Sequence, residues 1–297
     1  MTDRLLGSGL IIVDKPAGMT SHDVISRLRR IFRTRRVGHA GTLDPMATGV
    51  LVVGIERGTR FLAHLVTETK TYRATIRLGA STTTDDAEGD ITSRTDTTDV
   101  TDTLIDAAIA QLTGDIMQKP AAVSAIKIDG KRAHERVRDG ETVDIPARPV
   151  TVHRFDVLDR RSVDGYIDLD VDVFCSSGTY IRSLARDLGN ALGVGGHLTA
   201  LRRTTVGPFD LTHARTLEEL EDNPQLSLTL DQALAVSFPV LRVSGEEGHK
   251  LAMGQWLEPR GLKGIHAAVT PDGQAVALVK EKGKRLATVF VARPSTL

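Results

Sequence analysis

The chain has 297 residues, 40% hydrophobic and 26% charged, with 38 Lys+Arg balancing 38 Asp+Glu, a composition that excludes disordered and fibrous classes and leaves a soluble globular protein. One cysteine, Cys175, excludes an internal disulfide and a thiolate zinc cluster and fits a reducing cytosol. The opening MTDRLLGSGLIIVDKP is too short in its apolar run, and too early broken by Asp14 and Lys15, for a signal peptide or a membrane span, so a cytoplasmic location is expected.

In chain order, GLIIVDKPAG reads as a strand ending in a Pro/Gly turn. Thr20, Ser21 and Asp23 then offer N-caps for a helix through Val24, Ile25, Leu28 and Ile31, whose outer face would carry arginines. ATGVLVVGI is an apolar strand, and TYRATIRLGA, RPVTVHRFDVLDR and YIDLDVDVFCSSG alternate with period two. Ser81 to Asp102 is rich in Thr and Asp and is expected to be an exposed connection. Helices are expected over Thr101–Leu112 and Thr179–Leu192. After Phe238 the pattern resets to short strands, LRVS, AVALVKEKGK and RLATVFVA. The expected fold class is α+β: a mixed, largely antiparallel sheet in residues 1–238, followed by a small β-rich domain in 239–297.

Charge is unevenly spread. Residues 1–60 carry ten Lys/Arg against five Asp/Glu, and Ser26–Arg36 holds six arginines and no acid. Residues 85–115 carry nine acids against one Arg, and residues 239–297 nine basic against five acidic. Two basic faces offset by an acidic loop suit either a solvated surface or a polyanion partner. Cofactor signatures are missing: GSG at 7–9 is no dinucleotide fingerprint, no phosphate loop or GxSxG occurs, His134-Glu135 lacks the second histidine of HExxH, and GVGGH at 193–197 reads as a helix cap and turn. Chemistry without metal, nucleotide cofactor or serine-nucleophile motif is expected.

RRVGHAGTLDPMATGVLVVG places His39 and Asp44 among Gly38, Gly41 and Gly49, which permit close approach or unusual dihedrals. Pro45 biases Asp44 to an extended backbone, restricting where the carboxylate points. A fixed carboxylate before a buried strand suits nucleophilic or acid/base work, and an Asx-capped turn accounts for the same residues.

Six blocks in one order resemble the bacterial tRNA pseudouridine-55 synthase family: VDKPAGMTSHDV at 13–24, VGHAGTLDPMATGVLVVGIERGTR at 37–60, KTYRATIRLGASTTTDDAEG at 70–89, QKPAAVSAIKIDGKRAHERVRDG at 118–140, CSSGTYIRSLARDLG at 175–189 and HLTALRRTTVGPF at 197–209. The resemblance implies a catalytic domain of pseudouridine-synthase type over 1–238 and a PUA-like RNA-binding tail. It implies Asp44 as catalytic carboxylate, Tyr72 as the aromatic against the base and Arg182 as the cation paired with Asp44. By the same resemblance Leu201 is expected to close the pocket, Tyr180 to line it, His39 to help displace the target nucleotide and Lys15 to support the loop. Each role has a physical rationale. A guanidinium stabilises a desolvated carboxylate bidentately, a tyrosine ring stacks on uracil, and an Arg near a helix N-terminus opposes the dipole unless an anion faces it. The implied substrate is the T-arm of tRNA, gripped by the 118–140 segment with Lys127, Lys131 and Arg132, and by Arg29, Arg30 and Arg33 on the first helix. Within that segment Ala121 replaces a second proline and His134 stands where tyrosine is expected. The reaction needs no cofactor, no metal and no obligatory protein partner, and a monomer is expected. Two rivals remain: a guide-RNA-dependent synthase of the same superfamily, and a noncatalytic tRNA-binding or folding helper.

Overall fold

The structure, a computed structural model, describes residue 5, residues 7–65, 68–121 and 145–295, and the backbone of 127–128 and 131–132. The chain divides into two compact units, each built from separate stretches: 1–45, 49–67 and 205–297 in one, 46–48 and 68–204 in the other.

The first unit begins with β1 (Gly9–Lys15), whose Leu10, Ile11, Ile12 and Val13 are fully buried, so both faces are covered as an unbroken apolar run requires. The helix Ser21–Ile31 starts on a reciprocal cap: the Thr20 hydroxyl accepts from the Asp23 amide while the Asp23 carboxylate accepts from the Thr20 amide. It buries Val24, Ile25 and Leu28 and turns Arg29 and Arg30 to solvent. β2 (Val37–Ala40) and β3 (Thr48–Ile55) follow. β3 pairs antiparallel with β1, Gly9 opposite Ile55 and Lys15 opposite Gly49, and with β2, Ala40 opposite Val52.

The second unit holds β4 (Lys70–Leu78), β5 (Ala80–Thr82), β6 (Ile91–Arg94), the helix Asp102–Gln111, β7 (Gly114–Gln118), the short ladder β8 (Lys127–Ile128) with β9 (Lys131–Arg132), β10 (Arg148–Val163), β11 (Tyr166–Cys175), the helix Ile181–Ala191 and β12 (Gly196–Val206). Its main sheet has the order β12-β4-β11-β10-β7, with the pairs β4–β11, β11–β10 and β10–β7 antiparallel. Alternation along β4 sends Lys70, Tyr72, Ala74, Ile76 and Leu78 to the buried face, and Arg73, Thr75 and Arg77 to the other. There Arg77 meets Asp168 bidentately at 2.8 and 2.8 Å and Arg154 meets Asp172 at 2.6 Å, the cross-strand ladder that the alternating Asp168, Asp170 and Asp172 of β11 call for.

The chain then returns to the first unit with β13 (Phe209–Asp210), the helix Leu217–Asp222, β14 (Leu228–Thr229) beside β1, and the helix Leu230–Ser237. Arg27 reaches the Leu217–Asp222 helix, bidentate to Glu221 at 2.7 and 2.8 Å and 3.2 Å from Glu218, so one arginine of the basic run is spent on packing two helices together. The tail forms a four-stranded sheet of β15 (Val240–Arg242), β16 (Ile265–Val269), β17 (Ala275–Lys282) and β18 (Arg285–Val291), parallel between β15 and β16 and antiparallel elsewhere.

The stretch expected to be an exposed connection is exposed over most of its length, but it also carries a short strand pair and a few buried anchors. β5 pairs antiparallel with β6, which is exposed throughout, while Thr82 and Asp86 are buried. The hydroxyls and carboxylates that make this stretch look like loop satisfy one another: Thr82 donates to the Asp86 carbonyl at 2.7 Å, and the Asp86 carboxylate accepts from Thr84 and from the Glu88 amide. Gly193 and Gly195 at φ 73° and 75° form the expected turn after the Ile181–Ala191 helix.

Candidate active site

In the first unit the residues around Asp44 are held by two buried side chains. Lys15, with no exposed surface, donates from Nζ to the carbonyls of Pro16 at 2.8 Å, Met19 at 2.6 Å and Pro45 at 3.3 Å. The amide of Gly18 also donates to the Pro45 carbonyl, at 2.9 Å. On the other side of Asp44, the Ser21 hydroxyl donates to the Leu43 carbonyl at 3.1 Å and accepts from the Leu43 amide at 2.9 Å. Leu43 is thus tied to the first residue of the Ser21–Ile31 helix and Pro45 to the end of β1 and the turn after it, so the half-buried Asp44 sits on main chain with little freedom. Gly41 and Gly49 carry φ of 83° and 100°, which a side chain would resist. Gly38 needs no such freedom: a Cβ there would make ordinary contact with Leu62 at 3.5 Å. His39 lies partly buried on β2, opposite Val53.

In the second unit Tyr72 is 7% exposed on β4, opposite Val173, and shares its face with Lys70. Tyr180 is the N-cap residue of the Ile181–Ala191 helix and makes no side-chain cap, and Arg182 is at its second helical position, where the dipole disfavours a cation. An anion does face it. Asp86, 2% exposed, lies 3.5 Å from the buried Arg182 guanidinium, which also donates to the Thr84 carbonyl at 3.0 Å. One turn on, Arg186 meets Asp85 at 3.2 Å and Asp187 at 2.9 Å. Burial pushes the Asp85 carboxyl above its ordinary range against the pull of Arg186 and Arg182, and burial raises Asp187 likewise.

Lys70 is pulled down to about 8 by burial, helped by the nearby Arg203 charge. Cys175 is fully buried with its thiol pushed up to about 11 by desolvation, which makes it an inert core thiol. Leu201, 8% exposed, borders a hollow of about 520 Å³ with Thr48, Arg73, Thr75 and Arg202. Arg29, Arg30 and Arg33 are exposed, but Arg33 is not on the helix as expected: the helix ends at Ile31, and Arg33 follows it in a left-handed conformation at φ 50°. Lys127, Lys131 and Arg132 are placed in backbone only, with Lys127 opposite Arg132. His134 lies outside the described residues. Among the described residues no group of three His, Cys, Asp or Glu could hold a metal ion, and no helix is long and apolar enough to cross a membrane.

Sequence reasoning missed Ser21 and Asp86. Ser21 reads as one of several N-caps, but Thr20 takes that role and frees Ser21 for Leu43. Asp86 reads as part of an acidic loop; the only local hint is the cation at the start of the Ile181–Ala191 helix, which asks for an anion.

Residues 29–181 match the family described as TruB family pseudouridylate synthase (N terminal domain), 182–235 the tRNA pseudouridylate synthase B C-terminal domain, and 238–293 the tRNA pseudouridine synthase II C-terminal family. Proteins called tRNA pseudouridine synthase B are 73% identical in Corynebacterium efficiens, over all of both chains, and 60% identical in Nocardia farcinica, over 97% of this chain and 94% of that one. Among solved structures, a Cbf5-Nop10-Gar1 complex aligns with TM-score 0.73 at 27% identity, covering 98% of this chain and 86% of the other. An H/ACA RNP bound to a substrate RNA containing 2'-deoxyuridine aligns with TM-score 0.72 at 26% identity, covering 98% and 86%. With more than half of its length in the family match and relatives this similar end to end, the chain belongs to the TruB family of pseudouridylate synthases.

Proposed function

We propose that this pseudouridylate synthase acts on tRNA, converting the T-loop uridine at position 55 to pseudouridine with Asp44 as the catalytic carboxylate. The observation that carries the reading is the 73% identity running end to end with a protein called tRNA pseudouridine synthase B. In the reaction the N1–C1′ bond breaks, the uracil turns, a C5–C1′ bond forms, and the proton on C5 leaves as one returns to N1. Atoms balance without a redox partner. A carboxylate on a residue whose backbone is fixed on both sides suits a step in which charge develops at a fixed point on the sugar or base.

Arg182 pairs with Asp44, Tyr72 lies against the uracil, and Leu201 and Tyr180 line the pocket. His39 contacts the RNA and helps displace the target nucleotide, since the base must leave its stack at a cost of about a few kcal/mol. Lys15 supports the loop through the three carbonyls that it binds. Arg29, Arg30, Arg33, Lys127, Lys131 and Arg132 take phosphates. Residues 1–238 form the catalytic part and 239–297 a small PUA-like RNA-binding part, a division supported by the separate family match from 238. The protein works in the cytoplasm as a monomer, with no obligatory protein partner.

The test is tritium release to water from unmodified tRNA labelled at uracil C5, with purified protein alone. Release of one equivalent, absent when the T-loop uridine is replaced by cytidine, is expected. No release without added guide RNA or protein partners would replace this reading with a guide-dependent one. Tight tRNA binding with no release under any of these conditions would leave a noncatalytic helper.

A further inference from the structure

Gln118, the last residue of β7, is 1% exposed. Its side-chain amide makes two hydrogen bonds to one residue: Nε2 donates to the Tyr180 carbonyl at 3.1 Å, and Oε1 accepts from the Tyr180 amide at 2.8 Å. Tyr180 is the N-cap residue of the helix that carries Arg182, and its carbonyl also accepts the first helical bond, from Leu184 at 3.2 Å. The N-cap has no side-chain cap of its own, so Gln118 supplies from the sheet edge the fixing that a capping residue would supply locally. The next residue repeats the attachment one and a half turns along, where Arg186 donates to the Lys119 carbonyl at 2.7 Å. Arg186 also holds Asp85, the neighbour of the Asp86 that faces Arg182.

We propose that Gln118 is a positioning residue for the pseudouridylate synthase reaction, setting the place of the Arg182 guanidinium by clamping the N-cap residue of its helix to the end of β7. The clamp requires a donor and an acceptor in one neutral group at a fixed separation. Glutamine meets this; glutamate accepts only, methionine fills the volume and does neither, and asparagine falls one methylene short. Because a charged group within an active site acts over tenths of an ångström, loosening this attachment lowers the rate of the chemical step without altering how RNA is held. The proposal rests on Arg182 acting in the reaction, as given above.

The experiment is single-turnover tritium release at saturating tRNA, with tRNA affinity and thermal stability measured on the same preparations. Wild type must release tritium; if it does not, the proposed function fails and Gln118 is not at issue. With active wild type, Gln118→Met and Gln118→Glu should slow the step by roughly ten- to a hundredfold, the scale of small misplacements, while tRNA affinity stays within a few-fold and the proteins remain folded at the assay temperature. The second measurement is the same substitution in an Arg182→Lys background. If Gln118 acts through Arg182, Gln118→Met should cost little there, because the group that it positions is already displaced. A folded Gln118→Met with wild-type rate overturns the proposal. So does a full additional loss in the Arg182→Lys background, which would mean a general structural role.

Discussion

The carboxylate of Asp44 and the guanidinium of Arg182 take their chemistry from what holds them. Asp44→Asn keeps the shape and loses the charge, so turnover should vanish while tRNA affinity stays within several-fold; substantial pseudouridine formation by that variant would remove Asp44 from its role. Arg182→Lys should slow the step by about a hundredfold or more, since a point charge cannot reproduce a planar fork of donors, and near-wild-type single-turnover rates would sink the assignment. Ser21→Ala removes both bonds that fix Leu43, a loss of about 1–3 kcal/mol from buried groups. It should lower the rate more than it weakens tRNA binding, and equal effects on the two would contradict a loop-holding role. Lys70 offers a pH test. Its folded-state pKa of about 8 lies below the unfolded value near 10.5, so below pH 8 both states are charged and the folded state carries the burial penalty. As pH rises through 8 to 10.5 the folded state sheds its proton first and the penalty is relieved. Wild type should therefore gain stability relative to Lys70→Met over that window, by at most about 3 kcal/mol. Denaturant titrations at pH 7 and 10 in which the difference between the two proteins does not move would disprove it.

At the scale of elements, the helix Ser21–Ile31 separates its arginines by job. Arg27 is committed to Glu221 and Glu218, whereas Arg29 and Arg30 on the helix, and Arg33 and Arg35 beyond its end, are exposed. Replacing those four by Gln should weaken tRNA binding and flatten the slope of log affinity against log salt by roughly one to three, with the step at saturating tRNA little changed. The helix should persist on its Val24, Ile25 and Leu28 stripe and its cap. An unchanged salt slope in a folded variant would make this run a solvated face only. The same helix shows what the sequence reveals. Its cap and apolar spacing are local, as is the period-two alternation of β4, β10 and β11, and all can be read from a few consecutive letters. Asp86 cannot, because its partner Arg182 is 96 positions away and only the folded chain places them 3.5 Å apart. The helices Leu217–Asp222, Leu230–Ser237 and Gly245–Ala252 went unread for a different reason. They are six to eight residues long, too short for a helical period to rise above neighbouring turn residues, and each is specified mainly by a Thr or Ser cap.

At the scale of the first compact unit, the tail that looks separate in sequence shares a core with the N-terminal strands. Ala267, Val269, Ala275, Leu278 and Phe290 pack in one cluster with Leu10, Ile12, Val50, Val52, Phe61, Leu65 and Leu234, while Val243, Leu251, Val276, Val279 and Leu286 form a second cluster within the tail. Polar contacts follow the shared cluster: Arg57 donates to the carbonyls of Ala292 and Val291 at 2.8 and 2.5 Å, and Arg293 meets Asp231 at 2.6 Å. A sheet with one face in each cluster should not unfold alone. Phe290 is the test, since it is buried, lies 6.0 Å from the Phe61 ring and belongs to the shared cluster. Phe290→Ala should cost about 3–5 kcal/mol through lost contact and the cavity left behind. If the clusters open together, amide exchange should accelerate in β1 and β3 as much as in β17, by about two to three orders of magnitude for amides that exchange through the shared opening. Acceleration confined to residues 239–297, with β1 and β3 unchanged, would show that the tail opens independently and that the shared cluster adds contact without cooperativity.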